Sequence, residues 1–258
     1  MNSFSVDFLG QAGFRISSAE GTVYIDPYLS DSVRALDSAD LIRQVAIPVS
    51  PADVRDATWV LITHDHIDHC DPHTLPVLSD ASPDARFVAP PPAAEKLLEW
   101  GIAPHRIQTA SETWHPLLPG LSIKAVPAAH PSVERDPEGR LACVGYLFSA
   151  QSGQRTYFAG DTGVTQELLD ALSRETPIRT AFLPVNEQNF FRARRGIIGN
   201  MSVREAFLLA AELGTKRLFP YHWDMFAIND AYPEEISLIH RKTQAPFVLL
   251  SSPCNLFE

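Results

Sequence analysis

The stretch Thr63-His64-Asp65-His66-Ile67-Asp68-His69 follows the apolar run Trp59-Val60-Leu61-Ile62 without a break. Imidazoles at 64, 66 and 69 and carboxylates at 65 and 68 therefore stand at the mouth of a segment that reads as a buried strand. In an extended chain side chains alternate faces, so His64, His66 and Asp68 point to one side, and a turn at Asp68 swings His69 toward a second position. Two neighbouring cations could share such a set. The alternative is a solvated loop, but packing these groups against a buried strand is costly unless a cation compensates them.

Working outward, the 258 residues suffice for one α/β domain with a sizeable core, and residues 1–258 are expected to form it. Hydrophobic residues at 45% and charged residues at 20% fit an ordinary globular protein rather than a disordered one. A net charge of -10 opposes nucleic acid and anionic membrane surfaces as partners. The start, Met1-Asn2-Ser3-Phe4-Ser5-Val6-Asp7, lacks a basic region followed by an apolar one, and no run approaches membrane-spanning length. Cys70, Cys143 and Cys254 are odd in number and widely spaced, which fits a reducing compartment better than a disulfide framework. A cytoplasmic setting is the expectation, with Cys70 a small buried residue beneath the motif.

Read in order, the chain predicts an antiparallel meander of strands over 4–9, 13–17 and 22–26, then an irregular stretch over 28–51 with a short helix near 36–44. The strand over 57–62 leads into the motif. Asp71 is placed to cap a helix whose first residue is Pro72, with His73 on its surface. A strand over 86–89 and a helix over 91–100 stopped by Gly101 follow, then a strand-rich section over 106–159 with a polar turn at 135–140. The remainder alternates: helix 164–174, strand 180–185, helix 203–213, strand 216–221, helix 233–244 and strand 246–250.

Between the last-named strands and helices, residues 184–202 read as a loop on the motif's side of the fold, ending where Ser202 can cap a helix. Arg192, Arg194 and Arg195 concentrate positive charge there in an acidic chain, which suits phosphate or carboxylate. The competing reading is that they pair with the protein's own acids or with a neighbouring subunit of a homo-oligomer. No Gly-rich phosphate loop, nucleotide fingerprint or serine nucleophile elbow competes with the histidine motif.

The pattern His64-x-His66-x-Asp68-His69 resembles the signature of the metallo-β-lactamase superfamily. The resemblance implies a four-layer αββα sandwich of two mixed β-sheets, with further ligands His, Asp and His on later strand ends. His130, Asp161 and His222 stand at such ends. It further implies His64, His66 and His130 on one ion, Asp68, His69 and His222 on the other, and Asp161 as the bridge, with Asp26 either behind the site, as similar acids of that superfamily are, or a plain turn residue at its strand end. Nitrogen and oxygen donors of this kind suit Zn²⁺, Mn²⁺ or Fe²⁺. Two ions about 3.5–4 Å apart lower the pKa of a water held between them and polarise the bond it attacks, so hydrolysis is the expected chemistry. Asp68 and His222 are the catalytic candidates, Asp68 as acceptor for the attacking water. Asp161, in Gly160-Asp161-Thr162-Gly163, is expected to open a helix near free backbone N–H groups.

Residues 183–186, 199–202 and 220–226 make the chain similar to the L-ascorbate-6-phosphate lactonase branch of that superfamily. That likeness implies a lactone of a small phosphorylated sugar acid as substrate, with Asn186, Arg192, Arg194 and Arg195 as substrate-binding candidates. A metal-dependent phosphodiesterase of the same fold is the alternative.

Overall fold

Strands apolar on both faces must be covered on both sides, and this chain does so with two sheets back to back and helices outside. The computed structural model describes residues 4–253 and 255–257. The reading of residues 1–3 and of Cys254 falls outside them.

One sheet runs in the order β1 (Ser5–Gly10), β2 (Gly13–Ser18), β3 (Gly21–Ile25), β4 (Ala57–Leu61), β5 (Arg86–Ala89) and β6 (Ile107–Thr109). Its first three strands are antiparallel, and pairing is parallel from β3 onward. The helices of this half are α1 (Ser32–Leu36), α2 (Leu75–Ala81) and α3 (Pro91–Glu99). The other sheet runs β7 (His115–Leu118), β8 (Leu121–Pro127), β9 (Val144–Ala150), β10 (Arg155–Phe158), β11 (Ile178–Pro184), β12 (Arg217–Tyr221) and β13 (Val248–Leu249). Here pairing is antiparallel up to β10 and parallel beyond it. The helices α4 (Gln166–Ser173), α5 (Phe190–Ala193), α6 (Val203–Glu212) and α7 (Pro233–Thr243) belong to this half. The fold is the expected αββα sandwich of two mixed sheets.

Strand periodicity decides which side chains meet. In β4, Trp59 and Leu61 face the opposite sheet, whereas Val60 and the following Ile62 pack with Leu75, Leu78, Ala93 and Leu97 of α2 and α3. Across the sandwich, Phe158 and Phe182 point inward while Tyr157, Ala181 and Leu183 pack with Leu168, Leu172 and Phe207. Phe14 occupies the centre, its ring 5.0 Å from Phe158, 5.1 Å from Phe182 and 5.4 Å from Tyr221. These edge-to-face contacts lock the two sheets to each other.

Strand direction then collects the polar residues. In the first sheet β1, β3 and β4 run the same way, and in the second β8, β10, β11 and β12 do. Their C-terminal ends meet at one rim, where ligands of open α/β sheets gather. No helix among the described residues is long and apolar enough to cross a membrane.

Several local expectations need correction. The short helix expected near 36–44 lies earlier, at Ser32–Leu36, and residues 37–47 instead run as irregular chain tied down by Arg43. Asp71 does not cap a helix at Pro72: its carboxylate takes His73 N–H and Thr74 Oγ1–H, closing a turn before α2 begins at Leu75. Asp161 does not open a helix either, because α4 starts at Gln166 with Thr165 as its cap. The loop over 184–202 contains a helical turn, α5, whose N-cap Asn189 accepts N–H bonds from Phe191 and Arg192. Asparagine before an apolar pair was the available signal.

Phe14 is 1% exposed, so Phe14→Ala removes a ring from the interface of the two sheets. We expect a loss of about 3–5 kcal/mol in stability, read as a lowered urea midpoint with an unchanged m-value. A loss below about 1 kcal/mol, the scale of a one-methylene change in a core, would mean that the sheets are not held through this ring.

Candidate metal centre

Thr63, the first residue beyond the apolar run, anchors the motif. Its N–H donates to Asp26 Oδ1 at 2.8 Å and its Oγ1–H to Asp26 Oδ2 at 2.6 Å, while its carbonyl accepts Val144 N–H at 2.9 Å. The end of β3, the end of β4 and the start of β9 are thereby pinned together. The motif does not continue as an extended strand, so simple alternation does not place its side chains. His69 and Cys70 N–H both donate to the His66 carbonyl, at 3.0 and 2.7 Å, and this turn brings His66 and His69 round to His64. Lys96 holds the outside of the turn through the Asp65 carbonyl, at 2.6 Å, and its carboxylate, at 2.9 Å.

The other rim loops are joined as tightly. Thr162 Oγ1 accepts Ala129 N–H at 2.9 Å and the Ala129 carbonyl accepts Gly163 N–H at 2.9 Å, which couples the His130 loop to the Asp161 loop. Gly160 has φ +62 and lies so close to the motif that an added Cβ would come within 2.8 Å of Thr63 Cβ. Tyr221 Oη donates to the Gly160 carbonyl at 2.6 Å, and the next residue is His222.

All seven candidate residues converge. His66 Nδ1 and His130 Nε2 face each other at 3.2 Å, with His64 alongside. His69 Nε2 and His222 Nε2 lie 3.3 Å apart, and Asp68 Oδ2 is 3.7 Å from the first and 3.4 Å from the second. Asp161 stands between the groups, Oδ1 3.3 Å from His69 Nε2 and Oδ2 3.3 Å from His222 Nε2 and 3.7 Å from His130 Nε2. The members group as His64, His66 and His130; as Asp68, His69 and His222; and as His64, His69 and Asp161.

These residues fit divalent cations. A tetrahedral site with metal–nitrogen bonds of about 2.0–2.1 Å has ligand–ligand edges of about 3.3–3.4 Å, and the facing ring nitrogens, at 3.2 and 3.3 Å, lie at or just below that. His64 Nε2 is buried and has no hydrogen-bond partner. Such an orphaned acceptor is costly unless something electropositive sits beside it. The cluster is thus able to bind metal.

The charges agree. Burial, reinforced by His69, holds the His64 pKa well below the usual imidazole range, and burial pushes His130 down to about 4, so both are neutral donors. Burial raises the carboxyl pKa of Asp68 and Asp161, but His69 and His222 reverse this and hold both far below the usual range. Burial also acts to lower His69, yet the carboxylates of Asp161, Asp68 and Asp26 hold it well above its ordinary value. Asp26, fully buried, takes His69 Nδ1–H at 2.8 Å, which fixes the tautomer that aims Nε2 at the site. It is no mere turn residue.

Beside the rim, the irregular chain after β3 forms a wall. Leu41, Val45 and the motif's own Ile67 pack on Tyr28, Met225 and Phe226. Arg43 lies over the Tyr28 ring at 4.8 Å and binds the carbonyls of Tyr28, Ser30 and Val45. Nothing in the residue pattern marked Arg43 itself.

The substrate-side candidates fare differently. Arg192 is 7% exposed and spends its guanidinium on the carbonyls of Glu187, Ile228 and Asp230, at 2.6, 3.1 and 2.8 Å. It ties two loops together instead of facing an anion. Asn186 is wholly buried, its Oδ1 accepting from Asn200 Nδ2 at 2.9 Å, so the pair closes the neck of the 186–200 loop. Arg194 and Arg195 are exposed on that loop. His73 is exposed outside the cluster, and Cys70 is buried beneath it.

Sequence reasoning missed Gln11. In the turn after β1, it donates from Nε2 to Asp68 Oδ2 at 2.6 Å and lies 3.2 Å from His222 Nε2. Its residue type alone carried no signal.

Residues 22–223 match the model of the beta-lactamase superfamily domain. An uncharacterized protein of Mycobacterium tuberculosis is 28% identical over 206 residues, 80% of this chain but 55% of that protein. The chain thus spans about half the length of that relative. A UPF0173 metal-dependent hydrolase of Alkaliphilus metalliredigens is 26% identical over 233 residues, 89% of each chain. A probable L-ascorbate-6-phosphate lactonase of Salmonella choleraesuis is 25% identical over 211 residues, 77% of this chain and 58% of that one. Among solved structures, a metallo hydrolase of Ignicoccus hospitalis superposes with TM-score 0.70 at 20% identity, covering 99% of both chains.

Asp26→Asn preserves shape but removes the charged acceptor of His69 Nδ1–H. Metal affinity should fall about 10–100-fold, the usual effect of removing such a partner, with the far-ultraviolet circular dichroism unchanged. Unaltered affinity in dialysis would show that Asp26 serves only the Thr63 turn.

Proposed function

This chain belongs to the beta-lactamase superfamily domain family, and from that premise we propose that it is a metal-dependent hydrolase that opens a lactone or related cyclic ester of a small phosphorylated sugar acid. The observation that carries the hydrolase reading is the convergence of five imidazoles and two carboxylates, His64, His66, His69, His130, His222, Asp68 and Asp161, at one rim with facing ring nitrogens 3.2 and 3.3 Å apart. Two divalent ions, zinc or manganese with iron as a third choice, would supply an activated water and polarise the ester carbonyl. His64, His66 and His130 would hold one, Asp68, His69 and His222 the other, with Asp161 between them.

The chain's own residues do the rest. Asp68 is the most exposed of the second group, with 18% of its side chain accessible, so its ionised carboxylate can orient the attacking water and accept its proton. His222, whose N–H donates to the Gln11 carbonyl, has its Nε2 3.4 Å from Asp68 Oδ2. The lactone is favoured by the likeness to a probable L-ascorbate-6-phosphate lactonase over 77% of this chain. Arg194 and Arg195 are the guanidinium groups of the 186–200 loop left open to solvent for a phosphate. Asn186 would act by shaping that loop. A cytoplasmic setting suits a phosphorylated metabolite, and the buried Cys70 is unpaired.

The test is a parallel assay of metal-loaded protein on sugar lactones with and without phosphate, an aryl phosphodiester and a β-lactam. We expect turnover of the phosphorylated lactone, weakened by about 1.5–3 kcal/mol in Arg194→Ala or Arg195→Ala if either makes a charge-assisted bond. Diester turnover without lactone turnover would replace this reading with the phosphodiesterase. Separately, Asp68→Asn should lower kcat by about 10²–10⁴-fold, the range of general acid–base catalysis; an unchanged kcat would remove Asp68 from the chemistry.

A further inference from the structure

Gln11 has an unusual position for an uncharged side chain. It is 1% exposed, and its backbone adopts φ +55, a conformation costing a non-glycine residue about 1 kcal/mol. Its carbonyl accepts His222 N–H at 3.1 Å, so its backbone is bound to the very segment its side chain meets. The terminal Nε2 lies 2.6 Å from Asp68 Oδ2 and 3.2 Å from His222 Nε2. Those two atoms and His69 Nε2 are the donor set of the second cation position, spaced 3.3, 3.4 and 3.7 Å from one another. The amide terminus therefore stands beside two of the three donors, within reach of an ion that they would hold.

A carboxamide ends in a planar fork of one acceptor and one donor, and a half-turn about Cγ–Cδ exchanges them without changing its shape. Facing the bare Asp68 carboxylate, the NH₂ arm is the favourable one. Facing a cation, it is not. An ion bound to Asp68 Oδ2 and His222 Nε2 takes the carboxylate lone pair that the N–H addresses, and it repels the positive end of the N–H dipole. The carbonyl arm in the same place is an oxygen donor of the kind that manganese and zinc accept.

We infer that Gln11 is a neutral oxygen ligand of the second cation position, its carboxamide turning over and drawing back from Asp68 so that Oε1, in place of Nε2, faces the ion when it is loaded. This rests on the two-cation reading above. The strained backbone is retained because it delivers a side chain to the site, as at other functional positions in unfavourable φ,ψ regions.

The experiment is equilibrium dialysis of the full chain with Mn²⁺, with the Co²⁺ visible spectrum as a second readout of the ligand set. Wild type should take two ions. Gln11→Ala should bind the first ion as wild type does and the second at least about ten-fold more weakly, the scale on which removed partners act at metal sites. Gln11→Asn, which tolerates the left-handed backbone but is one methylene short, should match Gln11→Ala, so the result does not depend on how well the alanine variant folds. Gln11→Glu offers oxygen at the same place and no N–H to Asp68, and should hold the second ion at least as tightly as wild type while altering the Co²⁺ spectrum. A Gln11→Glu protein weakened as much as Gln11→Ala would make Gln11 only a hydrogen-bond donor to Asp68 and overturn the assignment. Two ions in wild type with the second unmoved by Gln11→Ala would overturn it too, leaving the two-cation reading intact. One ion in wild type would overturn both.

Discussion

The buried Asp26 carboxylate is the contact on which the site's geometry depends. Its two oxygens take Thr63 N–H, Thr63 Oγ1–H and His69 Nδ1–H at 2.6–2.8 Å. One side chain from the end of β3 thus fixes where the neighbouring β4 stops and which nitrogen of His69 faces inward. Burial pushes its pKa up, and His69 and Thr63 pull against that. A charge there is tolerable only because three donors surround it.

Around that anchor the sandwich acts as a frame whose strand ends all arrive at one level. The cost is local. Among the described residues the non-glycine positions with positive φ are Gln11, Asp26, His222 and Gln244, and the first three adjoin the cluster. Each sits where a strand breaks off and its side chain must turn inward. Gly160 shows the same pressure in another form, since only a residue without Cβ lets the Asp161 loop approach Thr63. Strain collected at one rim, on a frame locked by Phe14, is what preorganisation of a site looks like in backbone terms.

Much of this was legible in the residues. The apolar strand over 57–62 and the alternation of helices and strands from 164 onward announced their layers, and the His-x-His-x-Asp-His spacing announced the rim, because period and residue type are local properties. What escaped was non-local or conformational. Alternation misdescribed the motif beyond His64, since hydrogen bonds to the His66 carbonyl curl it into a turn. Asp71 was read as a helix cap because aspartate before proline caps helices as readily as turns. Arg192 was read as an anion binder because charge density in sequence says nothing about which guanidinium finds backbone carbonyls. Gln11 was invisible: its contacts to Asp68 and His222 span 57 and 211 residues, and no local pattern encodes them.

The central claim is that the rim holds two cations with Asp161 between them. Anomalous diffraction from crystals grown with Zn²⁺ or Mn²⁺ tests it most directly. The account predicts two peaks about 3.5–4 Å apart, one within bonding distance of His64, His66 and His130, the other of Asp68, His69 and His222, with an Asp161 oxygen reaching each. A single peak, or two peaks that Asp161 does not join, would contradict it.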